Sequence, residues 1–406
     1  MLAKTIMAMG IILSVLVGGA AGAAQRNRIV FISDLHMNVD ASYSWLNKHT
    51  GDLAQFLKDV YGREDVSEVV ILGDLLDDWV CPVKDLPNSF SDILAASHNS
   101  AVIGALQDLC AKQAIKVTYV VGNHDMLSFL EANKSLIQDY FPGMNIISES
   151  PGMGAYTKNN VIWAEHGHRY TMFNAPDTWS HDGSHLPLGY FISRLAASGS
   201  IKSGQIKTTP ELLDQYVKHP STATGFGRRG EVGGIWDDAF IIAVFNAIAL
   251  DMGSWPWDHF SMNGLDGFDS DPSVEGVAFD YDSIVSGWPT NHDRVTSTLA
   301  IFDDLGSLSG PANLIFEMPD YLKDLYPFTP RIILFGHTHE AEFQYHSGPV
   351  ETIYVNTGTW IDTKPMTWVE IEINDAGQGQ KVYQVELWYY GEATPRQSGA
   401  VTVSDS

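Results

Sequence analysis

The stretch VVGNHDML, residues 120–127, closes an apolar run that begins in KVTYVV and turns at Gly122 into Asn123, His124 and Asp125. Valines, a threonine and a tyrosine in unbroken succession suit a strand buried on both faces. Four other short runs end in the same way. RIVFISDLH (28–36) stops at Asp34 and His36, EVVILGD (68–74) at Asp74, VIWAEHGH (161–168) at His166 and His168, and RIILFGHTH (331–339) at His337 and His339. Helical spacing separates the early runs, over 43–61 (Leu46, Leu53, Phe56, Leu57, Val60) and over 91–112 (Ile93, Leu94, Val102, Leu106, Leu109). Strands alternating with helices predict a layered α/β core, and such sheets collect functional groups just past the carboxyl ends of their strands.

Asp, Asn and Gly after a strand are ordinary turn formers, so one such tip alone reads as a turn. Five polar tips, in a chain with only 14 histidines, exceed what turn chemistry asks for. Together they offer two aspartates, one asparagine and three or four histidines. That is too many donors for one ion and suits two ions about 3.5–4 Å apart sharing a carboxylate bridge. Mixed imidazole and carboxylate donors favour Zn, Mn or Fe over Mg or Ca.

The ordered blocks DLH (34–36), GDLLD (73–77), GNHD (122–125), HG (166–167) and GHTH (336–339) resemble those of the calcineurin-like metallophosphoesterases, over about 300 residues. The resemblance implies a four-layer αββα sandwich of two mixed sheets, with 352–358, 367–373 and 381–390 filling the second sheet. It implies two divalent or trivalent ions (Mn, Zn or Fe), the first held by Asp34, His36 and His339, the second by Asn123, His166 and His337, with Asp74 bridging. His124 would stand beside the substrate as hydrogen-bond donor or acid, oriented by Asp125. Asp77 is an outer partner of a ligand or a turn residue, and His168 competes with His166. The activity implied is hydrolysis of a phosphate mono- or diester by attack of a metal-bridging hydroxide. GDLLDDW is also similar to the region in hydrolases of nucleoside-diphosphate sugars and lipids, an alternative substrate class. Because GNHD is not followed by Glu, the pattern departs from the Ser/Thr protein phosphatases. A non-catalytic metal-binding envelope protein on the same fold is the alternative of another kind; all seven candidate ligands and His124 are present, which favours an enzyme.

Between the HG and GHTH blocks lies an insertion, taken as 170–330 within a metallophosphoesterase domain of 25–400. Helices are expected at 186–197 and 236–251, the second almost wholly apolar from Ala239 to Leu250 and either core or a substrate-facing cap. His168, Arg169 and Arg228 are the candidate substrate contacts, the last in the glycine-rich GFGRRGEVGG (225–234).

The first 24 residues combine Lys4, an apolar middle from Ile6 to Val17 and small residues at 21–24, the pattern of a signal peptide, with an N-terminal membrane anchor as the alternative. Cleavage would place the protein in the periplasm or outside the cell, with no stable membrane insertion. The net charge is −25, and without Lys4 there are 23 basic against 49 acidic residues, or −26. That surface repels nucleic-acid backbone, so the expected partner is a small phosphorylated substrate; no protein partner is implied. Cys81 and Cys110 could form a disulfide in an exported chain or remain two thiols.

Overall fold

Four strands, β1 (Arg28–Ile32), β2 (Val66–Leu72), β3 (Lys116–Val120) and β4 (Asn145–Ile147), lie side by side and parallel in the computed structural model. The structure describes residues 26–149, 154–171, 173–176, 185–218, 240–262, 264–265, 268, 270–282, 307–318 and 326–404. Strands β10 (Thr367–Gly377), β11 (Gln380–Tyr389) and β12 (Gln397–Ser404) extend this sheet antiparallel from β1, giving the seven-strand order β12-β11-β10-β1-β2-β3-β4. A second, five-stranded sheet has the order β5-β6-β7-β9-β8, from Tyr156–Lys158, Ile162–Ala164, Ile332–Phe335, Thr352–Asn356 and Glu342–His346.

Period-two alternation explains the layering. Ile29, Phe31, Val70, Leu72 and Val120 face Ile162, Leu334, Ile353 and Val355 across the space between the sheets. The alternate residues Val30, Ile32, Val69 and Ile71 face outward onto Leu53 and Leu57 of α1 (Thr50–Gly62) and Val102 and Leu106 of α3 (Ser100–Ala111). On the far side, Ile333, Phe335 and Tyr354 pack with Ala312 and Ile315 of the helix Ser309–Glu317. The result is an α/β sandwich with helix, sheet, sheet, helix, as the sequence led us to expect.

Where 367–373 and 381–390 pair is a correction: they join the first sheet. Val369, Ile371, Val385 and Leu387 fill the inter-sheet core from that side. On the opposite face Arg28 of β1 meets Glu370 at 2.8 Å, Glu372 at 2.6 Å and Glu386 at 3.0 Å. This cross-strand charge pairing matches β10 and β11 to β1.

Two helices also depart from the sequence spacing. The pattern at 43–61 becomes helical only at Thr50; the Asp362 carboxylate, some 300 residues away, accepts the backbone N–H of Asn47, Lys48 and His49 and holds the segment before the helix. The pattern at 91–112 splits into α2 (Phe90–Ala95) and α3, with Ala96 extended and a 3-10 turn at Ser97–Asn99. The buried Asn99 amide holds the break by donating to the carbonyls of Asn38 and Ile93.

Between the HG and GHTH blocks, α5 (Leu188–Ser203), α7 (Phe240–Met252) and α8 (Val274–Asp282) share one core with the α1/α3 layer through Leu195, Phe245, Ile248 and Val277. The fully buried Arg194 guanidinium fastens α5 to the 81–85 loop, donating to the carbonyls of Cys81, Pro82, Val83 and Asp85. Cys81 and Cys110 are both free thiols, pushed up by burial to about 11 and about 12. No helix among the described residues is long and apolar enough to cross a membrane; residues 1–25, with the expected signal peptide, lie outside the described residues.

Candidate metal centre and active-site cavity

The parallel neighbours β1, β2 and β3 in one sheet and β6 and β7 in the other bring their carboxyl ends to a common edge. There the chain bends into the left-handed region at five non-glycine residues, Asp34 (φ 55°), His36 (φ 49°), Asp74 (φ 51°), His337 (φ 71°) and His339 (φ 60°). Each such residue costs about 1–2 kcal/mol, and strained backbone of this kind gathers where function over-determines it. Backbone bonds between the tips supply that determination: Leu35 N–H and His36 N–H both donate to the Asp74 carbonyl at 2.9 and 2.8 Å. The glycines of the blocks are set by close approach. A Cβ on Gly73 (φ 84°) would lie 2.3 Å from His166 Nδ1, and one on Gly122 would lie 2.2 Å from Asp74 Oδ1.

Three groups of buried donors result: Asp34, His36, Asp74 and His339; Asp74, His166 and His337; and His36, Asp77 and His124; Asp74 is common to the first two. His36 Nε2 stands 3.0 Å from His339 Nε2, and His339 Nε2 stands 3.2 Å from Asp34 Oδ1. His166 Nε2 stands 3.2 Å from Asp74 Oδ2 and 2.9 Å from Asn123 Oδ1, which is also 2.9 Å from His337 Nδ1. His166 Nδ1 is 2.7 Å from the Leu72 carbonyl, which can only accept, so Nδ1 carries its proton and Nε2 points the ring's other nitrogen at oxygen acceptors. Asp34 Oδ1 is buried with no hydrogen-bond partner. Lone pairs converging on lone pairs in a buried space call for positive charge, and the donor set fits two divalent or trivalent cations of the imidazole-binding kind.

Without cations, protons carry that charge. Burial opposes protonation of His36, but the carboxylates of Asp34, at 3.9 Å, and Asp77, at 2.9 Å, outweigh it and push the imidazole up to about 10. His166, likewise buried, is pushed up to about 9 by Asp74 and Asp34. Burial alone would raise Asp34 and Asp74, yet His166 and the neighbouring imidazoles hold both carboxyls well below the usual range.

His124 is held by Asp77. Asp77 Oδ1 lies 2.9 Å from His124 Nδ1, while Oδ2 lies 2.9 Å from His36 Nδ1, and Oδ1 also accepts the Val80 N–H at 3.0 Å. Asp77 is thus both a turn residue and an outer partner of a candidate ligand. Burial would raise its carboxyl, but His124 and His36 hold it down to about 2. This corrects the role given to Asp125. Its carboxylate accepts backbone N–H from Leu75 and Leu76 at 2.7 and 3.1 Å and from Gly122 at 2.7 Å, so it braces the two loops that carry Asp74 and Asn123. Burial and then the charge of Asp74 push Asp125 up to about 6.

A cavity of about 450 Å³ opens onto these groups, lined at depth by Trp45, Asp74, Asn123, His124, His337 and His339. The Trp45 ring packs at 4.6 Å on His36 and 5.0 Å on His124, and its Nε1–H donates to the Lys207 carbonyl at 3.1 Å. One wall is Thr208, Thr209, Pro210, Glu211, Leu213 and Asp214; Glu340 and Lys364 line the cavity too. The apolar α7 does not line it. Neither do two of the expected substrate contacts. His168 is buried beside His166, ring centroids 5.4 Å apart. Arg169 is turned to Glu165 at 2.8 Å and to the hydroxyls of Tyr170 and Tyr326 at 2.9 and 3.0 Å, a correction to its expected role. Arg228 lies outside the described residues.

Sequence reading missed Trp45, Asn174 and the wall at 208–214. Its only signal was local: Thr208 and Glu211 form a capping box with Pro210 in the first turn, which marks the start of helix α6 (Thr209–Leu213) but not what that helix faces.

A two-sheet sandwich whose strand ends deliver Asp, Asn and His into two donor groups with one shared carboxylate is the scaffold of a metal-dependent hydrolase. The family model for calcineurin-like phosphoesterases matches residues 27–216, and over that span the chain is similar to this family. Among solved structures, a dimetal phosphatase from Danio rerio is 12% identical, with 94% of this chain and 100% of that chain covered and a TM-score of 0.36. Phosphopantetheinyl hydrolase from Mycobacterium tuberculosis is also 12% identical, with 83% and 91% covered and a TM-score of 0.29. No curated protein matches the chain.

Proposed function

We propose that the protein hydrolyses a phosphate mono- or diester with two cations bound, Asp34, His36 and His339 holding one, Asn123, His166 and His337 the other, and Asp74 both. The observation that carries this reading is Asp74: it belongs to two of the buried donor groups, and it lines the same cavity as His124. When bound, two such cations offset phosphoryl charge as Lewis acids and bring the pKa of water toward neutrality.

The remaining work falls to the chain. The Asp77 carboxylate can only accept, so His124 keeps a proton on Nδ1 and has Nε2 for the substrate. A proton on Nε2 is then available to a phosphoryl oxygen or to the departing alkoxide, and Asp77 stabilises the charged ring. Trp45 walls the histidines from one side and excludes water. Among the described lining residues the one cation, Lys364, is paired with Glu340, while Glu211 and Asp214 add negative charge. Such a mouth favours a singly charged ester over the nucleoside-diphosphate class. We further propose that the insertion supplies substrate selection through 208–214, and that the protein acts in the periplasm or outside the cell.

The test is turnover of p-nitrophenyl phosphate and bis-p-nitrophenyl phosphate with added Mn²⁺, in the wild type and in His124→Ala. Hydrolysis of at least one, lost by about 100-fold or more in the variant, is expected. No turnover of either by protein carrying both ions would favour a binding protein.

A further inference from the structure

His337 shows its two ring nitrogens to different surroundings. Nδ1 faces Asn123 Oδ1 at 2.9 Å, within the second donor group. Nε2 faces away, 3.1 Å from Thr171 Oγ1 and 3.2 Å from the Asn174 amide. A neutral imidazole that ligates through Nδ1 must carry its proton on Nε2, and Nε2 is turned toward the buried Thr171 and Asn174, where that proton needs an acceptor.

Thr171 is built to accept. It is fully buried, and its hydroxyl lies 2.8 Å from the His168 carbonyl, which can take a proton but not give one. The hydroxyl's single proton is therefore spent there, and its lone pairs remain for His337. The backbone N–H of Thr171 donates to the same His168 carbonyl at 3.1 Å, which fixes where Oγ1 points. The Asn174 amide nitrogen stands 3.2 Å from Nε2; which end of an amide faces a ring is an assignment made from its network, and with the amide turned about its oxygen shares the same Nε2 proton.

We propose that Thr171 is a positioning residue for the second cation: by accepting from His337 Nε2–H it fixes the tautomer that aims Nδ1 at Asn123 and Asp74. The proposal rests on the metal reading above. It also gives the start of the insertion a task, since Thr171 and Asn174 follow directly on the His166-Gly167 block.

Zn²⁺ uptake by the full chain separates the outcomes. Wild type is expected to bind two ions. Thr171→Val keeps the shape but offers no acceptor, and should bind one ion normally and the other about 10- to 100-fold more weakly, the usual cost of losing such a partner. Thr171→Ser should restore binding to within a few-fold. Equal weakening of both ions, or no weakening of either, overturns the proposal. Wild type that takes up fewer than two ions overturns the metal reading instead. Should the valine variant not fold, ¹⁵N-histidine NMR of Zn²⁺-loaded wild type decides: a proton on His337 Nε2 is expected, and a proton on Nδ1 refutes the assignment.

Discussion

Asp77 Oδ1 stands 2.9 Å from Nδ1 of His124, so the carboxylate three residues past Asp74, and not the Asp125 that follows His124 in the chain, orients this imidazole. The same carboxylate holds His36 through its other oxygen. One side chain thus ties a candidate ligand to the candidate acid.

Replacing Asp77 by Asn should therefore act twice. An amide can present only one acceptor oxygen, so either His36 or His124 loses its partner. We expect kcat/KM to fall about 100-fold or more and metal affinity about 10- to 100-fold. Asp125→Asn should leave the pH profile of kcat in place and instead lower the unfolding free energy by about 1–3 kcal/mol, because it serves three backbone donors. Parallel kinetics, calorimetric metal titration and urea unfolding of the two variants would separate them; equal pH-profile changes in both would sink the assignment.

Metal uptake should release protons. With His36 pushed up to about 10 and His166 to about 9 in the absence of cations, both rings hold a second proton at pH 7 that an incoming ion must displace. Apparent affinity should rise with pH from 6 to about 9. Titration calorimetry in two buffers of different ionisation enthalpy counts the protons. Chelation should in turn lower the unfolding midpoint, by an amount equivalent to about 4 kcal/mol per ion held at a thousand-fold excess over Kd.

Glu370 gives an acid-sensitive contribution far from the site. Burial would raise its carboxyl, but Arg63 and Arg28 outweigh that and lower it below the ordinary 4.5. A depressed carboxyl stabilises the fold above its unfolded pKa, and that stability is lost as pH falls through the folded value. Glu370→Gln should cost about 2 kcal/mol at pH 7, with the difference from wild type shrinking towards pH 3, as read by urea unfolding at several pH values.

Arg194→Lys should be costly although it keeps the charge. The guanidinium reaches four carbonyls of the 81–85 loop and the Tyr190 hydroxyl at once, which an ammonium cannot do. A loss of about 3 kcal/mol is expected by thermal or urea unfolding. If the variant unfolds like wild type, the anchor is not where we place it.

The strands that end in Asp34, Asp74, Asn123, His166 and His337 were legible in the chain because their signals are local. A run of β-branched residues buries itself wherever it lies, and a polar tip after a glycine must leave the sheet. The donor set follows from which residues stand at those tips. Pairing was less legible: 367–373 reads as a strand, but only Arg28 set against Glu370, Glu372 and Glu386 selects the first sheet for it.

By itself, then, the sequence determined the layered core, the five tips and the chemistry they can support. Only the tertiary structure decided that Asp77 rather than Asp125 faces His124, that Arg169 is turned away to Glu165, and that Thr208, Glu211 and Asp214 line the cavity. The reason is physical. A residue's burial and backbone preference depend on its neighbours in the chain, whereas the partner of a buried hydrogen bond is set by which distant segments pack together: residues 36, 77 and 124 meet only once β1, β2 and β3 have paired in one sheet, and residues 171 and 337 only once β6 and β7 have paired in the other.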